Sequence, residues 1–213
     1  INSFSVFQQT HNDFVTKRIT ELKQQNRNLV KGKLVSPADN ISDKPVLILA
    51  ETIHKSLHQL HQDHSIKHSS GKSVSIGLVR MANIKPLVAV AEELFKMKPA
   101  INYRLHYCVY HSQFPMILRS YIETRLDRVL SRKKQKQWWE KSDLKEKIED
   151  SDEEHHIFIV LATPVAEVGR DHDYDWAIAE PSSMRSLIQL AGRVQRHRKI
   201  EPSTENFHII SLN

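Results

Sequence analysis

Residues 161–198 read LATPVAEVGRDHDYDWAIAEPSSMRSLIQLAGRVQRHR. The stretch opens on the end of one apolar run, HIFIVLAT (156–163), and holds a second, DWAIAE (175–180); both read as strands. SMRSLIQLAGRVQR (183–196) then carries helical spacing. A strand, a glycine-bearing loop, another strand and a helix belong to a parallel sheet with crossover helices.

The pattern extends in both directions. SVSIGLV (73–79) reads as a strand and RMAN as the loop after it, with Asn83 capping a helix from Ile84 to about Met97. YRLHYCVYH (103–111) is a second strand, with Ser112 capping a helix from about Phe114 to Leu130. FHIISL (207–212) closes the chain as a fifth strand. In PVLILAETIHKSLHQLHQDHS (45–65), VLILA alone fits strand or helix. Asp43 as a cap, Pro45 in the first turn and apolar residues at 46, 49, 53, 57 and 60 favour the helix. Residues 1–35, with Phe14, Ile19 and Leu22 in a Gln-rich context, read as a leading helix. The expected layout is a helical segment over 1–44 and one α/β domain over 45–213. Its sheet is mostly parallel with helices on both faces, and its ligands gather at the carboxyl ends of the strands.

Composition bounds the function. The chain has 213 residues, 31 Lys and Arg against 25 acids, a net charge of +6, 39% hydrophobic residues and five glycines. That suits an ordered globular domain and is compatible with a polyanionic partner. Cys108 is the single cysteine, so no internal disulfide forms and a reducing cytosol is the expected compartment. No apolar run reaches the roughly 20 residues of a membrane span, and no signal peptide opens the chain. A start at Ile1 rather than Met leads us to expect a piece of a longer polypeptide.

Three signals carry less than they suggest. Gly71-Lys72-Ser73 looks like the end of a phosphate-binding loop, but Ile66 holds the first glycine's place, a helix precedes and a strand follows. Residues 131–154 run from basic to acidic and read as a surface insertion with a short helix. There Trp138 and Trp139 anchor the insertion by packing, with stacking on bases as the alternative. His54, His58, His61, His64 and His68 fall on one helical face. No glutamate follows His54 to make H-E-x-x-H and no cysteine is near, so we expect no metal site. The face is read as solvated, becoming positive below neutral pH.

The chemistry lies in the opening stretch. Gly169 and Asp171 follow Thr163 at plus six and plus eight, and Gln189, Gly192, Arg193 and Arg196 form Q-x-x-G-R-x-x-R. On average composition that pattern arises by chance in a chain of this length with odds of roughly one in a thousand. On a helix, residues three apart leave the same face, so both guanidinium groups would point the same way.

These residues resemble motifs V and VI of superfamily 2 helicases, found in the second of their two RecA-like domains. SIGLVRMANIKPL, YHSQFPMILRSYIETRLDRVL and the opening stretch narrow the resemblance to CRISPR-associated helicase–nucleases of type I systems, subtype I-F fitting best. It covers residues 73–199 well and secures neither 1–40 nor the insertion. It implies a three-layer RecA-like (P-loop NTPase type) fold and an ATP-driven motor moving 3′ to 5′ along single-stranded DNA in the bacterial cytoplasm. Arg193 and Arg196 would be arginine fingers, with Gln189 beside them. Gly169, Asp171 and Gly192 would line the nucleotide, while Arg80, Asn83, His111, Ser112 and Thr163 would contact the DNA backbone. His197, Arg198 and Lys199 match no motif position and read as basic surface.

The implied partners are a first RecA-like domain and an HD nuclease on the same polypeptide, an RNA-guided CRISPR surveillance complex, and phage anti-CRISPR inhibitors. ATP and Mg²⁺ would serve the full-length protein. The Walker A lysine and Walker B acids are absent from this sequence, so the chain alone is expected to hydrolyse no ATP and to hold neither cofactor nor nuclease metal. Two alternatives stand: another superfamily 2 repair helicase, and an ATP-independent nucleic-acid-binding module with the same fold.

Overall fold

β3 (Ser73–Arg80) is buried along its whole length, as the apolar run SVSIGLV requires of a central strand. In the computed structural model, which describes residues 2–24, 30–37, 44–132, 140, 142–167, 169–198 and 201–211, it pairs on both sides. On one side lies β5 (His155–Ala162), parallel over eight residues; on the other lies β6 (Trp176–Ala179), also parallel. β4 (Tyr103–Tyr110) extends the sheet beyond β5, and β7 (Phe207–Ile210) and β1 (Gly32–Val35) extend it beyond β6. The order is β1-β7-β6-β3-β5-β4, all parallel. Among the described residues only the two-residue β2 (Ile66–Lys67) runs antiparallel, against the start of β3.

Strands that alternate with helices leave two apolar faces to cover. α2 (Pro45–His64) and α3 (Ile84–Lys96) cover one, packing Ile53, Leu57, Leu60, Leu87 and Leu94 against Val79, Ile157, Ile159 and Ile178. α4 (Met116–Leu130), α5 (Ser142–Glu149) and α6 (Met184–Ala191) cover the other, packing Leu126, Leu130, Leu144, Ile148 and Leu190 against Ile76, Leu78, Phe158 and Val160. This is the three-layer α/β architecture of RecA-like domains. Gly77 is fixed by packing, since a Cβ there would stand 2.2 Å from the Trp176 ring.

The structure departs from the sequence reading in five places. First, the leading helix α1 covers Asn2–Gln24, but Gly32–Val35 is not its continuation: it is the edge strand β1. Its order comes from pairing with β7 rather than from local propensity. Second, α4 begins at Met116 with Pro115 in the cap position, not Ser112. A residue before proline is kept out of the helical region, which holds Phe114 outside.

Third, α6 stops at Ala191 instead of running to Arg196. Fourth, the insertion is not only surface, because α5 buries Leu144 and Ile148, and Lys72 donates to the Ile148 carbonyl at 2.6 Å and also to that of Ser151. Trp138 and Trp139 lie outside the described residues, as does Asp43. Fifth, the histidine face is packed rather than solvated. His61 is fully buried, its Nδ1 2.8 Å from Ser75 Oγ and its Nε2 3.1 Å from His155 Nδ1, and His58 sits edge-on against Tyr103. Burial pushes His61 down to about 3 and His58 to about 4, with neighbouring histidines adding to both shifts.

Candidate nucleotide and nucleic-acid site

The carboxyl ends of β3, β4 and β5 open onto one groove lined by Asn83, Lys85, Ser112, Gln113, Thr163 and Pro164. Three of the five expected DNA contacts, Asn83, Ser112 and Thr163, therefore come together. Asn83 sits at the N-cap of α3 in extended backbone, but its side chain makes no capping bond. Asn83 and Ser112 are exposed, and Thr163 is buried at the groove floor with 6% of its surface exposed.

The other two expected contacts are elsewhere. His111 is buried and stacks on Phe114 with centroids 4.1 Å apart, so it props the loop from inside. Arg80 is 0% exposed. Its Nε stands 2.8 Å from Glu167 Oε1, its Nη1 donates to the Glu180 carbonyl at 2.7 Å and its Nη2 to Ser186 Oγ at 2.6 Å. As the last residue of β3 it points toward α6 rather than out of the sheet, so it ties three segments together and is not available to DNA.

The arginines of the Q-x-x-G-R-x-x-R pattern do not share a helix. The chain leaves α6 through Gly192 (φ −64°, ψ 0°), with Arg193 N–H folding back to Leu190 O at 2.8 Å. Val194 then forms a parallel bridge with Tyr174, and Gln195 takes a positive φ of 49°. Arg193 and Arg196 thus stand on a loop, and the expected helical spacing does not set their geometry. Arg193 Nη2 donates to the Glu167 carbonyl at 2.9 Å, while its Nη1 is buried with no hydrogen-bond partner among the described residues. Burial, and then the charge of Arg196, lower the Arg193 pKa. Arg196, 41% exposed along its side chain, sets its Nε 3.0 Å from Asp171 Oδ1, an oxygen shared with His197 Nε2 at 3.0 Å. Gln189 is exposed on the last turn of α6. Gly169 has φ +69°, a left-handed backbone that glycine adopts without steric cost.

The basic triplet Arg196-His197-Arg198 is matched by an alternation of acids, Asp171, Asp173 and Asp175. Asp171 takes the first two basic residues. Arg198 takes the other two acids: Nη2 to Asp173 Oδ1 at 2.8 Å and Nη1 to Asp175 Oδ1 at 2.6 Å. Its Nη2 also reaches the Tyr174 carbonyl at 2.7 Å. Arg198 is therefore not basic surface. Asp175 is fully buried and also receives Arg132 Nη1 at 2.8 Å and the Ile76 N–H at 2.7 Å. Burial raises the Asp175 carboxyl, but Arg132 and Arg198 outweigh it and hold the group below its ordinary value. Lys199 lies outside the described residues.

The family model for the C-terminal part of CRISPR-associated nuclease/helicase Cas3 matches residues 73–199. This chain belongs to the Cas3 family. It is 47% identical over 213 residues to the subtype I-F/YPEST Cas3 nuclease/helicase of Pectobacterium atrosepticum, a match that takes in 97% of this chain and 19% of the relative. It is 40% identical over 210 residues to that of Pseudomonas aeruginosa, again over 19% of the relative. The chain thus spans about a fifth of the length of the curated relatives it matches. Among solved structures, T. fusca Cas3 with ATP superposes with a TM-score of 0.57 at 17% identity, over 86% of this chain and 18% of that one. A CRISPR RNA-guided surveillance complex captured before nicking contains a chain with TM-score 0.51 at 18% identity, over 85% of this chain and 18% of that one. Both show the fold.

Within this Cas3-family domain, the buried Arg193 Nη1, which has no hydrogen-bond partner among the described residues, fits an anionic oxygen such as that of a phosphate. Among the described residues no group of three or more His, Cys, Asp or Glu is placed to hold a metal ion, and no helix is long and apolar enough to cross a membrane. The sequence reading missed Glu167, Asp173, Asp175, Arg132 and Arg198. The D-x-D-x-D alternation before β6 signalled Asp173 and Asp175, though it reads equally as part of a strand, and nothing in the sequence signalled Glu167, Arg132 or Arg198.

Proposed function

We propose that this chain is the second RecA-like domain of an ATP-dependent helicase–nuclease that translocates on single-stranded DNA. In this reading it supplies arginine fingers and half of the DNA track, and it does not turn over alone. One observation carries the reading. Two guanidinium groups stand together on the loop after α6, and the inner one holds a buried donor with no hydrogen-bond partner among the described residues. A buried, unsatisfied N–H on a cation costs stability unless an anion completes it, and an oxygen of a phosphate is the anion a planar fork suits best. Bound ATP with Mg²⁺ would supply the phosphoryl group to be transferred. Arg193 would donate Nη1 to it, Arg196 would complete the pair, and Asp171 would hold Arg196 in place until then. Gln189 and Gly192, on the exposed side of the same turn, would face the nucleotide.

The groove of Asn83, Ser112 and Thr163 fits a DNA backbone, because short polar side chains and helix-start amides bind phosphate without regard to base. The T. fusca Cas3 structure with ATP and the surveillance-complex structure are of proteins with this fold. They support ATP as the ligand and an RNA-guided complex as the recruiting partner. The first RecA-like domain, the HD nuclease with its metal and phage anti-CRISPR inhibitors complete the expected partners, in a bacterial cytoplasm. The test is hydrolysis by the full-length protein carrying Arg193→Ala or Arg196→Ala. A steep loss with single-stranded DNA binding retained supports the reading.

A further inference from the structure

Arginines placed on a helix are held by the helix. These are not, since α6 ends before them and Gln195 interrupts with a positive φ. Something else must fix their direction, because a displacement of about 1 Å at a catalytic group costs on the order of a hundredfold in rate. The restraints are visible on the far side of the loop. Tyr174 N–H bonds to the Arg193 carbonyl at 2.8 Å, and Gln195 N–H returns to the Tyr174 carbonyl at 2.9 Å. The Arg198 side chain closes over this bridge, sharing that Tyr174 carbonyl and spanning Asp173 and Asp175. Both carboxylates are 0% exposed, while Arg198 is 26% exposed along its side chain. They belong to the strand entry that leads into β6, so they are anchored by the sheet: Asp175 N–H donates to Ile76 O at 2.9 Å.

We propose that Arg198 is the positioning residue of the arginine loop. It acts through Asp173, Asp175 and the Tyr174 carbonyl to hold Arg193 and Arg196 toward the nucleotide. The inference rests on the arginine-finger reading above and adds what orients the fingers. Arg198 itself turns its guanidinium into the protein, onto Asp173, Asp175 and the Tyr174 carbonyl. Asp175 also binds Arg132 through the same Oδ1, at the root of the insertion, which supplies an internal control.

The test uses the full-length protein with single-stranded DNA present. Steady-state ATP hydrolysis across ATP concentration and thermal unfolding are measured for Arg196→Ala, Arg198→Ala, Arg198→Lys and Arg132→Ala. We expect Arg198→Ala to lower kcat about tenfold or more while KM for ATP stays within about threefold, the pattern of a lost transition-state interaction. Arg198→Lys should recover little, because one ammonium cannot span two carboxylates and a carbonyl. Arg132→Ala should lower the unfolding temperature comparably but keep kcat per folded molecule within about twofold, since it leaves the arginine loop tied.

Normal kcat in Arg198→Ala beside a crippled Arg196→Ala overturns the positioning role and leaves the fingers standing. Equal loss of kcat in Arg198→Ala and Arg132→Ala also overturns it, marking a general packing defect. Wild-type hydrolysis by Arg196→Ala removes the fingers, and the positioning role falls with them.

Discussion

Arg198 and Asp175 meet at 2.6 Å, one from the end of the arginine loop and the other from the entry to β6, with Asp175 wholly buried. Removing one partner of such a pair leaves an uncompensated charge in the core. Arg198→Ala is therefore expected to destabilise the domain by about 3 kcal/mol, the low end for broken buried pairs because Arg132 still neutralises Asp175. Chemical denaturation of the variant measures this, and a change within experimental error would return Arg198 to the surface role its sequence position suggested.

Arg80 makes the same point at the other end of the sheet. Its guanidinium serves Glu167, Glu180 and Ser186, so Arg80→Ala should cost about 3–5 kcal/mol by stranding the Glu167 carboxylate. Single-stranded DNA affinity per folded molecule should stay unchanged. Asn83→Ala and Ser112→Ala should do the reverse, weakening DNA binding at little cost in stability. Fluorescence anisotropy on samples of known folded fraction separates the two classes.

The alternation of strands and helices was legible because β3, β5 and β6 are short apolar runs between polar breaks. The motif residues were legible as types and spacings. Their support was not. Gly192 is at once a motif member and a helix stop, and the stop decides where Arg193 and Arg196 stand. Arg80 ends a strand, but whether a strand-end side chain faces solvent or a neighbouring helix depends on what packs there. β1 has only four residues and no pattern of its own, so it becomes a strand through β7. The five histidines at helical spacing read as a solvated face because charge at low pH is their default. Tyr103 and His155, from distant strands, bury that face.

That burial makes stability depend on pH. His61 is held down to about 3 in the folded domain against an ordinary value of 6.5, so the unfolded chain binds the extra proton first. Stability is fully present above about pH 6.5 and falls as pH drops from there toward 3, by about 1.4 kcal/mol per pH unit from this one group. Urea denaturation between pH 7 and pH 4.5 should show the decline, and His61→Gln should make it shallower, the rest coming from other buried histidines such as His106 and His208. An unchanged slope in that variant would assign the decline to other groups.

Gly77 faces the Trp176 ring closely enough that a methyl group has no room. Gly77→Ala should destabilise by about 1–3 kcal/mol through overpacking, without changing any site residue. Thermal unfolding reports it, and a neutral result would mean that the strand and the indole shift apart at little cost.

The central claim is that Arg193 and Arg196 act on the nucleotide and not on the DNA. It is tested most directly by DNA-stimulated ATP hydrolysis in full-length protein carrying Arg196→Ala, with single-stranded DNA affinity measured on the same preparation. Loss of an arginine finger lowers turnover by roughly 10³ to 10⁵, and the account predicts a fall of that order with DNA affinity intact. Hydrolysis near the wild-type rate, or DNA affinity that falls in step with turnover, would contradict it.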